Sequence, residues 1–272
     1  MLRLGMGILV ALLSLFRLAV AQTWAAAASA GTVHLTDSSS LNALGGVVEY
    51  RALRWLTLGA APTLVRSTVG TQTTSGFGDL PLTAAASKEL GTAWGPELAA
   101  AVILTIPTGN AACGLGNGVT SVGMEVGAGL SPIDPLHLSV DASRSLSAVT
   151  LSSLDAQGST WLDVDADVEF TSRLTGSASL GGDFGGVDTT TAAREVGVGA
   201  RYTLRGPLAL SVDVTHRLSG IAPTWGLAVT LGTASSGLSA LNPSSPLWHQ
   251  RQVFSGGVNV HGRGKSGGAS GC

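Results

Sequence analysis

The segment WLDVDADVEF, Trp161 to Phe170, alternates polar and apolar residues from end to end. Four carboxylates, Asp163, Asp165, Asp167 and Glu169, occupy every second position, and apolar residues stand between them. Successive side chains of a β-strand point to opposite faces, so a period of two predicts a strand with one acidic and one apolar face. A chain built from such strands must place the two faces in different environments.

The same alternation recurs in about twelve segments of the chain. Tight connections such as SPIDP, TSR and LRGP alternate with long ones rich in Gly, Ser, Thr and Asn, which span Arg66 to Ser75, Pro107 to Asn117, Ser147 to Gly158 and Asp183 to Ala192. Long loops at one end and short turns at the other are typical of an outer-membrane barrel. The sequence therefore predicts an all-β fold, a transmembrane antiparallel up-and-down β-barrel of about 12 strands, with both termini on the periplasmic side.

The composition excludes some classes of protein and leaves one alternative fold. Charged residues make up 12% of the chain, which is about half of the usual share for a soluble domain. The formal net charge is -2, and no basic patch suggests a nucleic-acid partner. A soluble sandwich or lipocalin-like barrel remains an alternative, because its strands alternate with the same period but bury the apolar face.

The two ends of the chain differ from the middle. Arg3 gives a positive start, Gly7 to Phe16 an apolar run and Ala19 to Ala21 a small-residue cleavage pattern, as in a secretory signal peptide. After about Gly232 the alternation stops and Gly and Ser dominate. We therefore predict a cleaved signal peptide at residues 1–21, an outer-membrane β-barrel at 22–232 and a flexible tail at 233–272. The predicted location is the bacterial outer membrane, with its lipid as a partner.

Charged side chains fall mainly on one parity of their strands, which we predict to line the interior. A charge that faces lipid near the midplane costs about 2–4 kcal/mol, so a membrane barrel requires this segregation. His34 also falls on the predicted inner parity and Val33 on the outer one, whereas Arg144 and His216 fall on the outer parity near loop ends. The predicted pore-lining residues are Glu49, Arg51, Asp79, Glu97, Glu125, Asp141, Asp163, Asp165, Asp167, Glu169, Glu195, Arg201, Asp213 and Arg217.

Aromatic residues concentrate near predicted strand ends, where an outer-membrane barrel carries two interfacial girdles. Three of them, Trp55, Phe77 and Trp161, fall on the inner parity, so they fit this prediction only in part. Pro62 and Pro81 lie inside predicted strands, and each predicts a bulge or a shifted strand boundary because proline cannot donate to the ladder. The predicted interfacial aromatics are Tyr50, Trp55, Phe77, Trp94, Trp161, Phe170, Tyr202 and Trp225.

Three segments resemble one family of membrane barrels. LTIPTGNAACGLGNGVTSVGMEVGAGLS resembles the Pro-Thr-Gly hairpin of the outer-membrane barrel transporters assigned to the MetA pathway of phenol degradation. GFGDLPL is similar to the Gly-Asp-Leu segment of that family, and VDVTHRLSGIAPTWGLAVTLG to its final hairpin. The resemblance covers roughly Gly76 to Gly232 and implies a channel-like barrel in the outer membrane. Pro81 and the long tail depart from the family pattern.

The acidic ladder has two interpretations. Carboxylates spaced about 6 to 7 Å apart along one strand face would repel one another in a dry core, whereas a wet lumen screens them. They could form a cation-favouring pore wall, or an internal network that Arg51, Arg201 and Arg217 offset while nothing passes. The loop from Pro107 to Asn117, or the tail, could plug the barrel. We predict a channel or facilitator for small solutes, and the resemblance to the MetA-pathway family implies hydrophobic or aromatic compounds among them; the alternative is a non-conducting structural or adhesive barrel.

Other chemistry has weaker support in the sequence. GNAACGLGNG lacks the ending of a phosphate-binding loop, and GDFGGVD lacks regular calcium-ligand spacing. A phospholipase-like site would need His216 together with Ser143 or Ser145, yet no motif surrounds that histidine, so we predict no enzyme, no cofactor and no metal. Cys113 and Cys272 could pair in an oxidising compartment, but their positions are not those of a disulfide framework, and we interpret both as incidental.

Overall fold

The computed structural model describes residues 24–36, 39–91, 95–116, 118–146, 160–184, 194–219 and 225–233. The predicted signal peptide, Trp94 and the tail beyond Thr233 lie outside these residues. The described residues contain no helix that is long and apolar enough to cross a membrane. They form one short 3₁₀ helix, Ala111–Cys113, and fourteen strands: β1 Trp24–Thr36, β2 Ser39–Leu53, β3 Leu56–Ala60, β4 Thr63–Val69, β5 Gln72–Phe77, β6 Leu80–Glu89, β7 Glu97–Ile106, β8 Ser121–Ile133, β9 Leu136–Leu146, β10 Thr160–Thr171, β11 Leu174–Phe184, β12 Arg194–Arg205, β13 Leu208–Ser219 and β14 Trp225–Thr233.

These strands form one closed antiparallel barrel. β2 pairs with both β3 and β4, which follow one another along a single line, and β6 continues β5 in the same way. Because two pairs of the fourteen segments merge, the wall has twelve strands. β1 pairs with β2 on one side and with β14 on the other, so hydrogen bonds between the first and last strands close the barrel. The predicted twelve-stranded antiparallel barrel is confirmed.

The two faces of the strands are polar inside and apolar outside. In β13, Ser211, Asp213 and Thr215 are buried, whereas Val212 and Val214 between them are exposed. A soluble barrel or sandwich would bury its Leu and Val side chains and leave the polar ones in water. Exposed Leu and Val recur on the outer face of nearly every strand, as an outward-facing apolar band requires. This distribution excludes the soluble alternative as a description of the fold.

A bulge between β5 and β6 changes the predicted facing of Phe77. Four residue steps separate Ala60 from Leu64, but five separate their partners Leu82 and Phe77. The extra residue reverses the parity of β5 relative to β6. Phe77 therefore lies on the outer face, where 65% of its surface is exposed. Its assignment to the inner parity was wrong, because that assignment extended the parity of β6 across the bulge.

The two prolines mark the places where the long strands are interrupted, as predicted. Ala61 and Pro62 separate β3 from β4, and Pro62 still contributes by accepting a hydrogen bond from Gly46 N at 3.0 Å. Pro81 follows the bulge directly, and its carbonyl accepts from Ala61 N at 3.1 Å. Neither proline can donate a backbone N–H, but the carbonyl of each still takes part in the ladder.

β1 also faces the opposite way from the prediction. Val33 is buried at 2% exposure beside Leu41 of β2, so it points into the barrel. His34 stacks on the exposed Trp225 of β14, with ring centroids 5.7 Å apart, so it lies outside. The sequence WAAAASAGTVHLT consists mostly of small residues, and small residues suit either face. The parity of β1 therefore had no strong signal in the sequence.

The closing contact between β14 and β1 depends on a glycine. A Cβ at Gly232 would lie 2.4 Å from Ala27 Cβ and 2.8 Å from Ala27 Cα. We expect Gly232→Ala to lower the free energy of unfolding by about 2 kcal/mol, because the two strands must move apart. Urea unfolding of the purified barrel, followed by its heat-modifiable gel mobility, measures this. Gly123→Ala is the matched control, since its Cβ would meet no atom closer than 3.7 Å; equal losses in the two variants would contradict the expectation.

Candidate functional site

The barrel interior holds the predicted acidic residues. Cross-strand pairing places thirteen of the fourteen predicted pore-lining residues on the inner face of their strands, and the fourteenth, Asp79, is buried between β5 and β6. Arg51 and Glu169 lie near the short-turn end and are exposed. Glu97, Glu125, Asp141, Arg201 and Arg217 are half-buried. The buried members are Glu49, Asp79, Asp163, Asp165, Asp167, Glu195 and Asp213.

The ladder on β10 lies between two polar strands. Asp163 pairs with Asp141 and Gly181, Asp165 with Ser139 and Ser179, and Asp167 with His137 and Ser177. Gly181 leaves space beside Asp163, and the serines beside Asp165 and Asp167 are small and bear hydroxyl groups. The acidic ladder is therefore one part of a broader polar surface across β9, β10 and β11.

Two arginines on the neighbouring wall contact carboxylates. The guanidinium of Arg217 donates from Nε to Glu195 Oε1 at 2.7 Å and also forms an ion pair with that oxygen. Arg201 lies within electrostatic range of Asp167. The predicted set nevertheless contains eleven carboxylates and three guanidiniums, so its formal charge is 3 minus 11, or -8. The interior therefore remains strongly acidic.

Some interior hydroxyls need partners beyond the described residues. Ser139 Oγ and Ser179 Oγ flank Asp165 on its two sides, and Thr230 Oγ1 lies on β14. These buried atoms have no hydrogen-bond partner in the part of the chain that the structure describes. Buried polar groups are usually satisfied by protein or ordered water. Water in the interior would satisfy these hydroxyl groups, whereas a dry core would leave them without hydrogen-bond partners.

Trp161 belongs to this interior rather than to an interfacial girdle. Its indole Nε1 donates a hydrogen bond to Asp163 Oδ1 at 2.6 Å, and β10 pairs it with Ser143 and Asp183 on the inner face. The assignment of Trp161 to the interfacial aromatics is thus corrected. A side chain with one N–H donor that lies near a carboxylate is stabilised by that hydrogen bond.

The other described aromatics of the predicted set lie at exposed positions. Trp24, which was not in the set, packs against Tyr50 at a centroid distance of 4.8 Å near the short-turn end. It directly precedes a run of alanines, which gave no strand parity to identify it. The exposed members are Tyr50, Trp55, Phe77, Phe170, Tyr202 and Trp225.

The loop between β7 and β8 is attached to the barrel wall. Thr108 Oγ1 donates to the carbonyl of Gly78 at 2.8 Å, and Gly109 N donates to Asp79 Oδ1 at 3.0 Å. Asp79 is fully buried and lies in the bulge between β5 and β6. A hydrogen bond to a buried carboxylate is among the stronger ones in proteins. Asp79 therefore fixes the base of this loop.

The same loop inserts an apolar side chain into the barrel. Leu115 is 3% exposed and packs in a cluster with Val33, Leu41, Ala43, Val65 and Ala228, which come from β1, β2, β4 and β14. Cys113 packs against this cluster and is disulfide-bonded, so the interpretation of that cysteine as incidental was wrong. The interior thus has an apolar zone near the long-loop end, and the acidic surface lies mainly on β9 to β13.

Two glycines allow this close approach. A Cβ at Gly109 would lie 2.3 Å from the carbonyl oxygen of Leu115, and a Cβ at Gly116 would lie 2.3 Å from Asp79 Oδ1. Neither position has space for a larger residue while the loop stays in place. These two glycines of the GNAACGLGNG segment therefore allow the loop to fold closely on itself and against Asp79.

The described residues do not assemble a catalytic or metal site. They contain no group of three or more His, Cys, Asp or Glu side chains that could hold a metal ion. His216 lies on the outer face of β13, whereas Ser143 lies on the inner face of β9, four strands away. Four strand spacings along the wall correspond to about 19 Å, far beyond hydrogen-bond reach. The hypothetical phospholipase pair is not brought together.

Comparison with solved structures shows the same architecture. The COG4313 outer membrane channel from Pseudomonas putida F1 matches with a TM-score of 0.58 and 17% identity, over 78% of this chain and 94% of that chain. The KdgM porin, solved in complex with disordered oligogalacturonate, matches with a TM-score of 0.54 and 10% identity, over 78% and 99%. The NanC porin gives 0.50 and 10%, over 78% and 99%. At these identities the likeness shows the fold.

No protein-family model matches the sequence, and no curated protein is significantly similar to it. The resemblance to the MetA-pathway family therefore has no support from a family model. The shared feature is the twelve-stranded barrel of outer-membrane channels.

Proposed function

We propose that the protein is an outer-membrane channel through which small solutes cross, and that the inner-face charges line its pore. The closed barrel with apolar side chains outside and carboxylates inside carries this proposal. An apolar band facing outward requires lipid around it, and a polar interior is typical of barrels that hold water. The role is transport rather than catalysis, and its setting is the bacterial outer membrane.

The proposed orientation follows from the connections. Two-residue turns occur at residues 54–55, 134–135, 172–173 and 206–207. These four lie at the same end as Trp24 and Thr233, the first and last described residues. A fifth two-residue turn, at residues 70–71, lies at the opposite end, because the long connection predicted from Arg66 to Ser75 is instead the hairpin of β4 and β5. Short turns face the periplasm in outer-membrane barrels, and long loops face outward. Residues 1–21 are proposed as the cleaved signal peptide and residues 233–272 as a periplasmic tail.

The interior charge indicates which solutes pass. With eleven carboxylates and three guanidiniums in the proposed lining, the pore favours cations and neutral molecules over anions. KdgM was solved with oligogalacturonate, which carries carboxylates, so a similar polyanion is disfavoured here by charge. We propose small cationic and neutral solutes as the cargo.

The apolar zone around Leu115 is a second feature that affects which solutes cross the barrel. The side chains of Leu115, Leu41, Val33 and Val65 lie near the long-loop end, on the part of the wall formed by β1, β2, β4 and β14, so a solute that enters there can contact them beside the acidic surface. Apolar surface favours ligands that carry apolar groups. The zone supports hydrophobic or aromatic small compounds, which agrees with the cargo that the MetA-pathway resemblance implies.

A non-conducting structural or adhesive barrel is the second candidate. The inserted loop favours it, because Leu115 narrows the interior. The burial of Asp79, Asp163 and Asp165 also favours it, because other groups closely surround these carboxylates. In that case the arginines would only balance some internal charges, and no solute would cross.

Solute entry into liposomes separates these candidates. We expect proteoliposomes to swell fastest with phenethylammonium, more slowly with arabinose and slowest with galacturonate, because charge and apolar surface both favour the first. Swelling rates above those of protein-free liposomes, in this order, support the channel. Rates equal to those of protein-free liposomes for all three solutes support the sealed barrel, and fastest entry of galacturonate would contradict the acidic lining.

A further inference from the structure

We propose that the outer face of the barrel at its long-loop end binds the phosphate groups of outer-leaflet lipids at separate positions around the wall, where Arg66, Arg144 and Arg194 each contact a different lipid molecule. This rests on the proposed function only in so far as it places the barrel in the outer membrane. The ligand class is a phosphorylated lipid, which combines an anionic headgroup with acyl chains.

The charges on the outer face are segregated by sign. In the described strands every Asp and Glu lies on the inner face, whereas the outer face near the long-loop end carries cationic or titratable nitrogen groups. Each of these lies within three residues of the end of its strand. They are His34, Arg66, Arg144, Arg194 and His216.

The three arginines are exposed and available to a ligand. Arg66, Arg144 and Arg194 make no ion pair with a carboxylate in the part of the chain that the structure describes. A guanidinium next to a membrane is costly unless it reaches water or an anionic group. Phosphate fits the planar guanidinium in a bidentate way, so it is the favoured partner among lipid headgroup anions.

A groove beside Arg66 is lined by both polar and apolar residues. Its volume is about 440 Å³. Pairing across β2, β4 and β5 places Asn42, Arg66 and Ser75 in one outer row, and Leu44, Leu64 and Phe77 in the next row toward the barrel centre. The groove is lined by Asn42, Ala43, Leu44, Leu64, Val65, Arg66, Ser75 and Gly76.

The order of these rows matches the order of groups in a phosphorylated lipid. The guanidinium and the two polar side chains lie nearer the long-loop end, where headgroups reside, and the leucines lie where acyl chains begin. Leu44 and Leu64 are each 41% exposed, so the apolar row is available for contact. A free phosphate ion would use only the first row.

The test compares lipid binding by matched variants of the full barrel in detergent micelles. Native mass spectrometry would measure the binding of lipid A to the wild type, to a triple variant with Arg66→Gln, Arg144→Gln and Arg194→Gln, and to a control with Arg54→Gln, Arg173→Gln and Arg205→Gln. The control removes three exposed arginines at the short-turn end. Dephosphorylated lipid A and inorganic phosphate serve as further probes, and heat-modifiable mobility confirms that each variant is folded.

We expect the triple variant to bind lipid A roughly fivefold more weakly at each of the three positions, because each basic residue near an anionic lipid surface contributes roughly fivefold. The control variant should bind like the wild type, and dephosphorylated lipid A should bind the wild type as weakly as lipid A binds the triple variant. Equal binding by all three proteins would overturn the proposal, as would full competition by millimolar inorganic phosphate, which indicates a free-phosphate site. A wild type that binds lipid A but does not conduct would refute the channel and leave the lipid site standing.

Discussion

Neutralising the acidic ladder is expected to lower the cation-over-anion permeability ratio of the channel by about tenfold. The variant replaces Asp163, Asp165 and Asp167 by Asn and Glu169 by Gln. A unit charge about 6 Å from a permeating ion contributes roughly 0.7 kcal/mol in water. This energy has opposite signs for a cation and an anion, so a tenfold change in the ratio corresponds to one unscreened carboxylate at that distance, and screening in a wet lumen reduces the combined effect of the four. Reversal potentials in planar bilayers with a KCl gradient measure the ratio.

Two further variants show whether the change in reversal potential is specific to the acidic ladder. Asp134→Asn removes an exposed carboxylate in a short turn outside the barrel interior, so it should leave the reversal potential unchanged. Asp165→Asn alone should give a partial shift, since that residue is buried at the centre of the ladder. A quadruple variant with the reversal potential of the wild type would remove the ladder from ion selection, and the other inner-face carboxylates would then have to account for it.

Releasing the inserted loop is the second change with a large expected effect. Asp79→Ala removes the carboxylate that accepts from Gly109 N at 3.0 Å. Loss of a partner for a buried donor costs about 1–3 kcal/mol, so the loop should leave its position beside the wall and take Leu115 with it. We expect the single-channel conductance to rise about twofold or more, because the entrance widens.

Asp79→Asn is the matched control for that experiment. Its amide oxygen has nearly the same position and can still accept from Gly109 N, so its conductance should stay close to that of the wild type. Both variants need heat-modifiable mobility, since Asp79 lies in a bulge of the wall. If folded Asp79→Ala conducts like the wild type, the loop does not narrow the pore.

The sequence could predict the barrel because strand alternation is a local property. β10 and β13 carry clear apolar and polar parities, and the facing of Asp163 and Asp213 follows from two-residue periodicity alone. The alternating long and short connections then give an antiparallel meander. These observations need only neighbouring residues, and the described structure agrees with them except at the connection predicted from Arg66 to Ser75, which is the hairpin of β4 and β5.

Other features depend on contacts between distant residues. The bulge between β5 and β6 reversed the facing of Phe77, and its position is set by pairing with β3 and β4. The hydrogen bond between Asp79 and Gly109 joins residues 30 positions apart, and Leu115 gives no sign of burial in a glycine-rich loop. Trp161 was assigned to the interfacial aromatics because it lies near a strand end, although its parity is that of the inner face. Its hydrogen bond to Asp163 agrees with the inner parity.

The current of the purified wild-type protein in a planar lipid bilayer tests the proposed channel most directly. We predict stepwise conductance increments after insertion, with a reversal potential in a KCl gradient that shows cation preference, because the inner face carries an excess of carboxylates. A folded, heat-modifiable barrel that inserts into the bilayer without any current would contradict the channel and favour the sealed structural barrel.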